Sequence, residues 1–365
     1  MDIKPLLQKM VDSKGSDIHI RANDHVFMRV DGVLMHTDEQ IYTAAQTLAL
    51  AKSLMNAKQE KIFEERHEVD LAFSFENLGR FRINVYSQLG MVNMVFRVIP
   101  NVIPTIEQLK LPPVITKISE NRRGLVIVTG TTGSGKSTTL ASMLNQINET
   151  VTAHIVTIED PIEYIHHGKK SIISQRELGF DTLTYPDALR NVVRQDPNVI
   201  LLGEMRDLET VSAAITAAQT GHLVLSTLHT VDAVQSVNRI LDMFPPHQQQ
   251  QIRYLLADTL KAVVSQRLLP HSSGHGRVPA VEVLVNTPLV TKMIIDNNLS
   301  EISNLMKQGQ YYGMQTFNQA LIKLFQSGEV KLEDALAAAA NPEELMLNVR
   351  GIQSSSEDSS SIFEK

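Results

Sequence analysis

The 365-residue sequence contains no cysteine, which excludes disulfides and thiolate metal sites. No apolar run approaches the ~18–20 residues of a membrane span. The start, Met1-Asp2-Ile3-Lys4-Pro5, carries no apolar signal region. An excess of basic charge is also missing: 34 Lys and Arg stand against 40 Asp and Glu, a formal net charge of −6. Without a global basic field the chain is not suited to broad nucleic-acid binding, although local basic patches stay open. No internal repeat is present. These absences together predict a cytosolic protein. What the chain does have is an apolar fraction of 43%, enough for a proper core, and a length that suits about two domains.

The most informative segment is Gly130-Thr131-Thr132-Gly133-Ser134-Gly135-Lys136-Ser137, which fits G-x-x-x-x-G-K-[ST], the phosphate-binding P-loop. Its flanks suit it. Gly124 to Thr129 is a short apolar, β-branched stretch that reads as a buried strand, and Thr138 to Leu144 is good helix material. The glycines let backbone N–H groups turn toward an anion, and the helix adds its N-terminal dipole. Lys136 would reach the β- and γ-phosphates, and the Ser137 hydroxyl would bind Mg²⁺. The nucleotide-binding candidates are therefore Thr132, Gly133, Ser134, Gly135, Lys136, Ser137 and Thr138.

The overall expectation is an α/β chain. Residues 1–100 read as a small α+β domain. Its strands fall at 17–20, 26–30 and 33–35, then at 69–75, 80–88 and 92–98, with helices from Thr43 to about Glu65. Turns are expected at Asp31-Gly32, Asn77-Leu78-Gly79 and Leu89-Gly90. Residues 101–113 carry Pro104, Pro112 and Pro113 and read as a linker with a short helix around Ile106 to Leu109. Residues 114–350 alternate apolar strands, at 124–129, 154–159, 198–203 and 222–228, with helices. That is the pattern of a mostly parallel sheet covered on both faces. The stretch from Thr287 to Ala340 reads as mostly helical. The serine-rich tail, 351–365, has little to bury and reads as disordered.

Three further segments bear on chemistry. Asn198 to Glu204 is an apolar strand ending in a carboxylate, taken to lie beside the P-loop strand. A carboxylate at the carboxyl end of a parallel strand points into the ligand crevice, so Glu204 fits the group that polarises the attacking water. The alternative is a solvated strand-end acid. His154 to Tyr164 is a second strand, ending in acids around Pro161. Glu163 or Glu159 there could hold Mg²⁺ through water, or the cluster could be a surface turn. His222 to Thr230 is framed by two histidines, of which His229 could sense the γ-phosphate or simply be solvated. In the N-terminal domain, Arg80, Arg82 and Arg97 sit on adjacent predicted strands. They form either a solvated basic face or an arginine finger that reaches a phosphate across a subunit boundary.

Taken together these segments resemble one family. Gly130–Ser137, Ile158–Tyr164, Gly203–Asp207 and Ser226–Thr230 look like the Walker A, Asp box, Walker B and His box of the secretion ATPases. Gly15–His19, Gly79–Arg82, Phe96–Pro100 and Gly313–Phe317 extend the likeness to the PilT/PilU group of type IV pilus retraction motors. The resemblance covers about residues 1–350. It implies a homohexamer of two-domain subunits, PAS-like then RecA-like, with ATP and Mg²⁺ between the domains. Hydrolysis would involve Glu204, Glu163, Arg82, Arg97 and His229, and Mg²⁺ would lie on Ser137 and Glu163. The domains would move as rigid bodies and pull pilin out of the fibre. Implied partners are a PilT-type retraction ATPase and an inner-membrane pilus platform protein, with the ring at the inner face of that membrane.

Two departures bear on the branch. The extension ATPases of the superfamily carry a four-cysteine zinc site, and this chain has no cysteine, so no zinc is expected. PilT-type chains carry an Ala-Ile-Arg-Asn-Leu-Ile-Arg-Glu helix; here Leu289 to Asp296 keeps the apolar spacing but has neither arginine. Glu282–Leu289 and Gly328–Leu336 also resemble the PilU branch more. A nucleic-acid translocase is the competing class, opposed by the acidic balance. A non-hydrolysing assembly partner is another, opposed by the intact Lys136, Ser137, Glu163 and Glu204.

Overall fold

A computed structural model describes residues 3–30, 32–37, 41–76 and 78–349. Asp31 and Asn77, assigned to turns above, and the tail 351–365 lie outside the described residues. The chain divides into two compact units. One runs up to Val102 and includes Glu163–Ile165; the other comprises Ile103–Ile162 and the chain from His166 on.

The first unit is an α+β domain around one sheet. Its strands are β1 (Asp17–Ile20), β2 (Phe27–Val30), β3 (Val33–His36), β4 (Glu68–Phe75), β5 (Gly79–Gln88) and β6 (Met91–Ile99). They are antiparallel in the order β3-β2-β1-β6-β5-β4. The period-2 alternation sets the core face: Phe81, Ile83 and Val85 of β5 are fully buried, with Arg80, Arg82 and Asn84 between them. Helices Ala44–Leu54 and Ala57–Arg66 begin with capping boxes, Thr43 with Gln46 and Asn56 with Gln59. A further helix, Lys4–Asp12, is absent from the expectation above. It has no side-chain cap at its start, only Pro5 in its first turn, and it forms because Leu6, Leu7 and Met10 bury one face.

The second unit contains a sheet of seven strands: β7 (Gly124–Thr129), β8 (His154–Glu159), β9 (Ile172–Glu177), β10 (Val199–Leu202), β11 (Leu223–Leu228), β12 (Leu260–Pro270) and β13 (Arg277–Val285). The order is β13-β12-β7-β11-β10-β8-β9, parallel except for β13, which returns antiparallel along β12. Every residue of β7 and β11 is buried, as a sheet covered on both faces requires. One apolar layer gathers Leu125, Ile127, Ile200 and Val224; the opposite layer gathers Val126, Val128, Leu201 and Leu225. Residues 103–113 contribute Ile106 and Leu111 to that second layer.

Three corrections follow. The strand that carries Glu204 does not neighbour the P-loop strand, because β11 runs between them. The sheet is larger than the four expected strands, since β9, β12 and β13 join it. The helix expected near Ile106 to Leu109 is a single turn, in which the Leu109 amide donates to the Thr105 carbonyl at 3.0 Å. It stops because Lys110 is left-handed (φ 55°) and Pro112 follows. In the helix Pro288–Ile295, Val290 and Ile294 are buried while Leu289 is exposed.

Glu282 of β13 ties helices to this sheet. Its carboxyl is buried and accepts the Ala233 amide at 2.9 Å and the Phe317 amide at 3.3 Å, each at the start of a helix. Burial pushes this acid up to about 7, against those hydrogen bonds. An unfolded glutamate releases its proton near its ordinary 4.5. The native state therefore binds the extra proton between those values, and its stability falls as pH rises through that window. Relative to Glu282→Gln, the wild-type chain is expected to lose about 3 kcal/mol between pH 4.5 and 7.5. Denaturant midpoints of the two chains that run parallel across this range would contradict the assignment.

Candidate functional site

Four neighbouring strands of the second unit, β7, β11, β10 and β8, each deliver one polar group at or just past their carboxyl ends. β7 runs into the Gly-rich loop and the helix Lys136–Thr150. β11 is followed by His229, β10 by Gly203 and Glu204, and β8 ends on Glu159. Short bonds hold these ends in register. The Gly203 amide donates to the Ile158 carbonyl at 2.8 Å, the Thr227 hydroxyl to the Gly203 carbonyl at 2.7 Å, and the Met205 amide to the Thr227 carbonyl at 3.1 Å.

The loop is shaped for an anion. A Cβ at Gly130 (φ +143°) would stand 2.4 Å from the Gln266 carbonyl and 2.5 Å from the Ser134 hydroxyl, so only glycine fits. The buried Ser134 hydroxyl has no hydrogen-bond partner among the described residues. Lys136 Nζ donates to the carbonyls of Gly130 at 2.8 Å and Thr131 at 3.1 Å. Burial lowers the pKa of this ammonium, and the charge of Glu204 partly offsets that. Thr132, Gly133 and Ser137 are exposed along the same turn, with Gly135 and Thr138 half-buried. A loop closed to a Cβ at Gly130, with an unpartnered hydroxyl and a lysine folded onto it, fits a nucleotide polyphosphate.

The carboxylate of Glu204 is engaged at both oxygens. Arg206 Nη2 lies 2.6 Å from Oε1, and His229 Nε2 lies 3.2 Å from Oε2. The hydrogen bond and charge of Glu204 raise the Arg206 guanidinium's pKa further. Sequence reasoning paired Glu204 with His229 in one crevice, and the structure brings them into contact. It missed Arg206, although Arg206 lies two residues from Glu204. Glu159 is buried and accepts the Thr157 hydroxyl at 2.7 Å and the Gln175 amide at 3.3 Å. Arg82, Arg97 and Glu163 belong to the first unit. There Arg97 Nε donates to Asp17 Oδ1 at 2.7 Å, Arg82 Nη2 to Asp70 Oδ2 at 3.4 Å, and Glu163 is exposed. Arg80 is half-buried on the same strand as Arg82.

Tyr185 was also missed. Burial raises its pKa, and the charges of Glu204, Asp160 and Glu159 add to the effect, so it is a neutral hydroxyl. A Cβ at Gly203 would stand 2.8 Å from the Tyr185 hydroxyl and 3.4 Å from the Glu159 backbone. Gly203→Ala is therefore expected to displace Glu204 and slow any reaction it serves by about tenfold. Tyr185→Phe in the same chain removes the obstructing oxygen and is expected to restore the rate. A Gly203→Ala chain with unaltered turnover would contradict this steric account.

A parallel sheet with a phosphate cradle at one strand end, and a carboxylate and histidine at the next two, defines a RecA-like nucleotide-binding protein of the P-loop class. The chain belongs to the Type II/IV secretion system protein family T2SSE, whose model matches residues 1–337. It is similar to the type IV pilus ATPase PilU of Pseudomonas aeruginosa, 43% identical over 363 residues, 99% of this chain and 95% of that protein. It is also similar to the type IV pilus retractation ATPase PilT of that organism, 42% identical over 343 residues, 94% and 99% of the two chains. The crystal structure of the pilus retraction motor PilT with bound ADP matches with a TM-score of 0.89 at 43% identity, covering 95% of this chain and 99% of that one. The first unit is correspondingly the PAS-like domain. No helix of the described residues is long and apolar enough to cross a membrane.

Proposed function

We propose that this chain is an ATP-hydrolysing motor that drives type IV pilus retraction, and that it works as a PilU-like accessory to a PilT-type ring. The observation that carries the enzymatic part is the contact of Glu204 with His229 beside Lys136, at the strand ends of a phosphate-binding sheet. Lys136 and the loop amides bind the β- and γ-phosphates. Ser137, with Glu163 through water, would hold Mg²⁺, whose charge would offset that of the phosphates. Among the described residues no group of three His, Asp or Glu is placed to hold a metal ion. Glu204 takes the proton of the attacking water, and His229 reports the state of the γ-phosphate to Glu204. Arg82 and Arg97 complete the site of the neighbouring subunit in a homohexamer. The ring sits in the cytoplasm against the inner-membrane pilus platform protein.

The absence of arginine from 289–296 supports the accessory role, since that helix lacks both arginines of the PilT-type motif. Deletion of the gene in its host, scored for retained pili with and without a PilT-type motor, tests the reading. This protein is expected to support retraction only when that motor is present. Retraction at normal force through this chain alone would make it an independent motor.

A further inference from the structure

Strand register in the first unit places four charged side chains in one row. Arg29 of β2 pairs with Asp17 of β1, Asp17 with Arg97 of β6, and Arg97 with Arg82 of β5. Directly paired residues share a face of the sheet, so three guanidiniums and one carboxylate stand side by side. The adjacent row, on the opposite face, is apolar. Met28, Ile18, Phe96, Ile83 and Leu71 follow the same registers and are all buried. This apolar row pins the charged one, because a one-residue slip would drive all four charges into the core.

Asp17 is the only acid in that row and is built to stay charged. Its side chain is 7% exposed. Oδ1 accepts Arg97 Nε at 2.7 Å, Oδ2 accepts the Ser16 hydroxyl at 2.7 Å, and Arg29 Nε lies 4.0 Å from Oδ2. Burial alone would raise its pKa, but the bonds from Ser16 and Arg97 and the charge of Arg97 outweigh that and hold it below the ordinary value. Arg97, by contrast, is 66% exposed along its side chain. An ion pair with one partner so exposed contributes little stability. What it contributes is orientation: a guanidinium held at Nε has its plane fixed and can offer its two terminal nitrogens to an oxyanion bidentately.

We propose that Asp17 is a positioning residue, which presets Arg97 for a terminal phosphate oxygen of a nucleoside triphosphate, with Arg29 and Arg82 flanking it. This rests on the reading above that Arg97 completes a neighbouring subunit's nucleotide site. Neither Asp17 nor Arg29 touches the nucleotide in this account. Asp17 acts by removing the rotamer search that a free arginine would make before each turnover.

The test is steady-state ATP turnover of the full-length chain, at concentrations where the oligomer forms, for Asp17→Asn, Arg97→Ala and the double variant. Arg97→Ala is expected to lower kcat by about 10³-fold. Asp17→Asn should lower kcat by about 10–10²-fold while KM for ATP stays within about twofold. In the Arg97→Ala background, Asp17→Asn should change nothing further, because the residue it positions is gone. Asp17→Glu keeps the charge but displaces the guanidinium; it should show the same loss confined to kcat and serves if the amide variant does not fold. If Asp17 merely supports the sheet, its substitution lowers the melting temperature and multiplies the Arg97→Ala defect, which overturns the inference. Loss of activity in Arg97→Ala with normal kcat in a folded Asp17 variant also overturns it, and leaves the shared site standing. Full activity of Arg97→Ala removes the shared site and this inference together.

Discussion

Glu204→Gln is expected to bind ATP as tightly as the wild type and to turn it over about 10³-fold more slowly. Glutamine keeps the shape at the end of β10 but cannot accept a proton from water. The substitution also removes the charge that meets Arg206 at 2.6 Å. Both groups lie outside the phosphate cradle, so binding is spared. Lys136→Ala should behave differently. It removes the cation nearest the P-loop carbonyls, and nucleotide affinity and turnover should fall together. The contrast between the two variants carries the argument, because general destabilisation of the domain would lower binding in both. Isothermal titration with ATP and a phosphate-release assay read the two effects separately. Near-normal turnover in Glu204→Gln would remove Glu204 from the reaction.

The second large effect concerns assembly. If Arg97 of one subunit serves the nucleotide of the next, an isolated subunit lacks a complete site. Activity per subunit should then rise with protein concentration across the range where the oligomer forms. A mixing experiment sharpens this. Lys136→Ala subunits retain Arg97 but lack a working cradle, and Arg97→Ala subunits retain the cradle but lack the arginine. Each variant alone is expected to be inactive. Mixed in equal amounts, about a quarter of the interfaces in a cyclic ring join an intact cradle to an intact arginine. Activity should return to a corresponding part of the wild-type value. No recovery on mixing, or full activity from a monomer peak on sizing, would refute the shared site.

Much of the site was legible because it lies in contiguous segments. The P-loop is eight consecutive residues, Glu204 follows the uninterrupted apolar strand β10, and His229 follows the fully buried strand β11. The strand order was not legible. Register between β10 and β11 is a long-range property, and nothing in Val199–Leu202 says that β11 comes between it and β7. β12 escaped because Lys261, Ser265, Gln266 and Arg267 break its apolar run. Those polar residues have tertiary partners, such as the Gln266 amide on the Thr139 hydroxyl at 2.9 Å and the Arg267 guanidinium over the Phe317 ring at 4.1 Å. Tyr185 was missed for the same reason: what makes it part of the site is its approach to Gly203 and the charges at the ends of other strands, whereas Arg206 meets Glu204 only two residues away. The row Arg29-Asp17-Arg97-Arg82 draws on four strands from β1 to β6 and appears only when those strands are paired.

The claim at the centre is that ATP hydrolysis by this chain does mechanical work on the pilus. It is tested most directly by retraction force in living cells, with the PilT-type motor intact and this chain replaced by Glu204→Gln. Rings should still assemble, pili should still retract without load, and the stall force should drop to that of cells lacking this chain. A stall force equal to that of wild-type cells would show that hydrolysis here is not used for retraction.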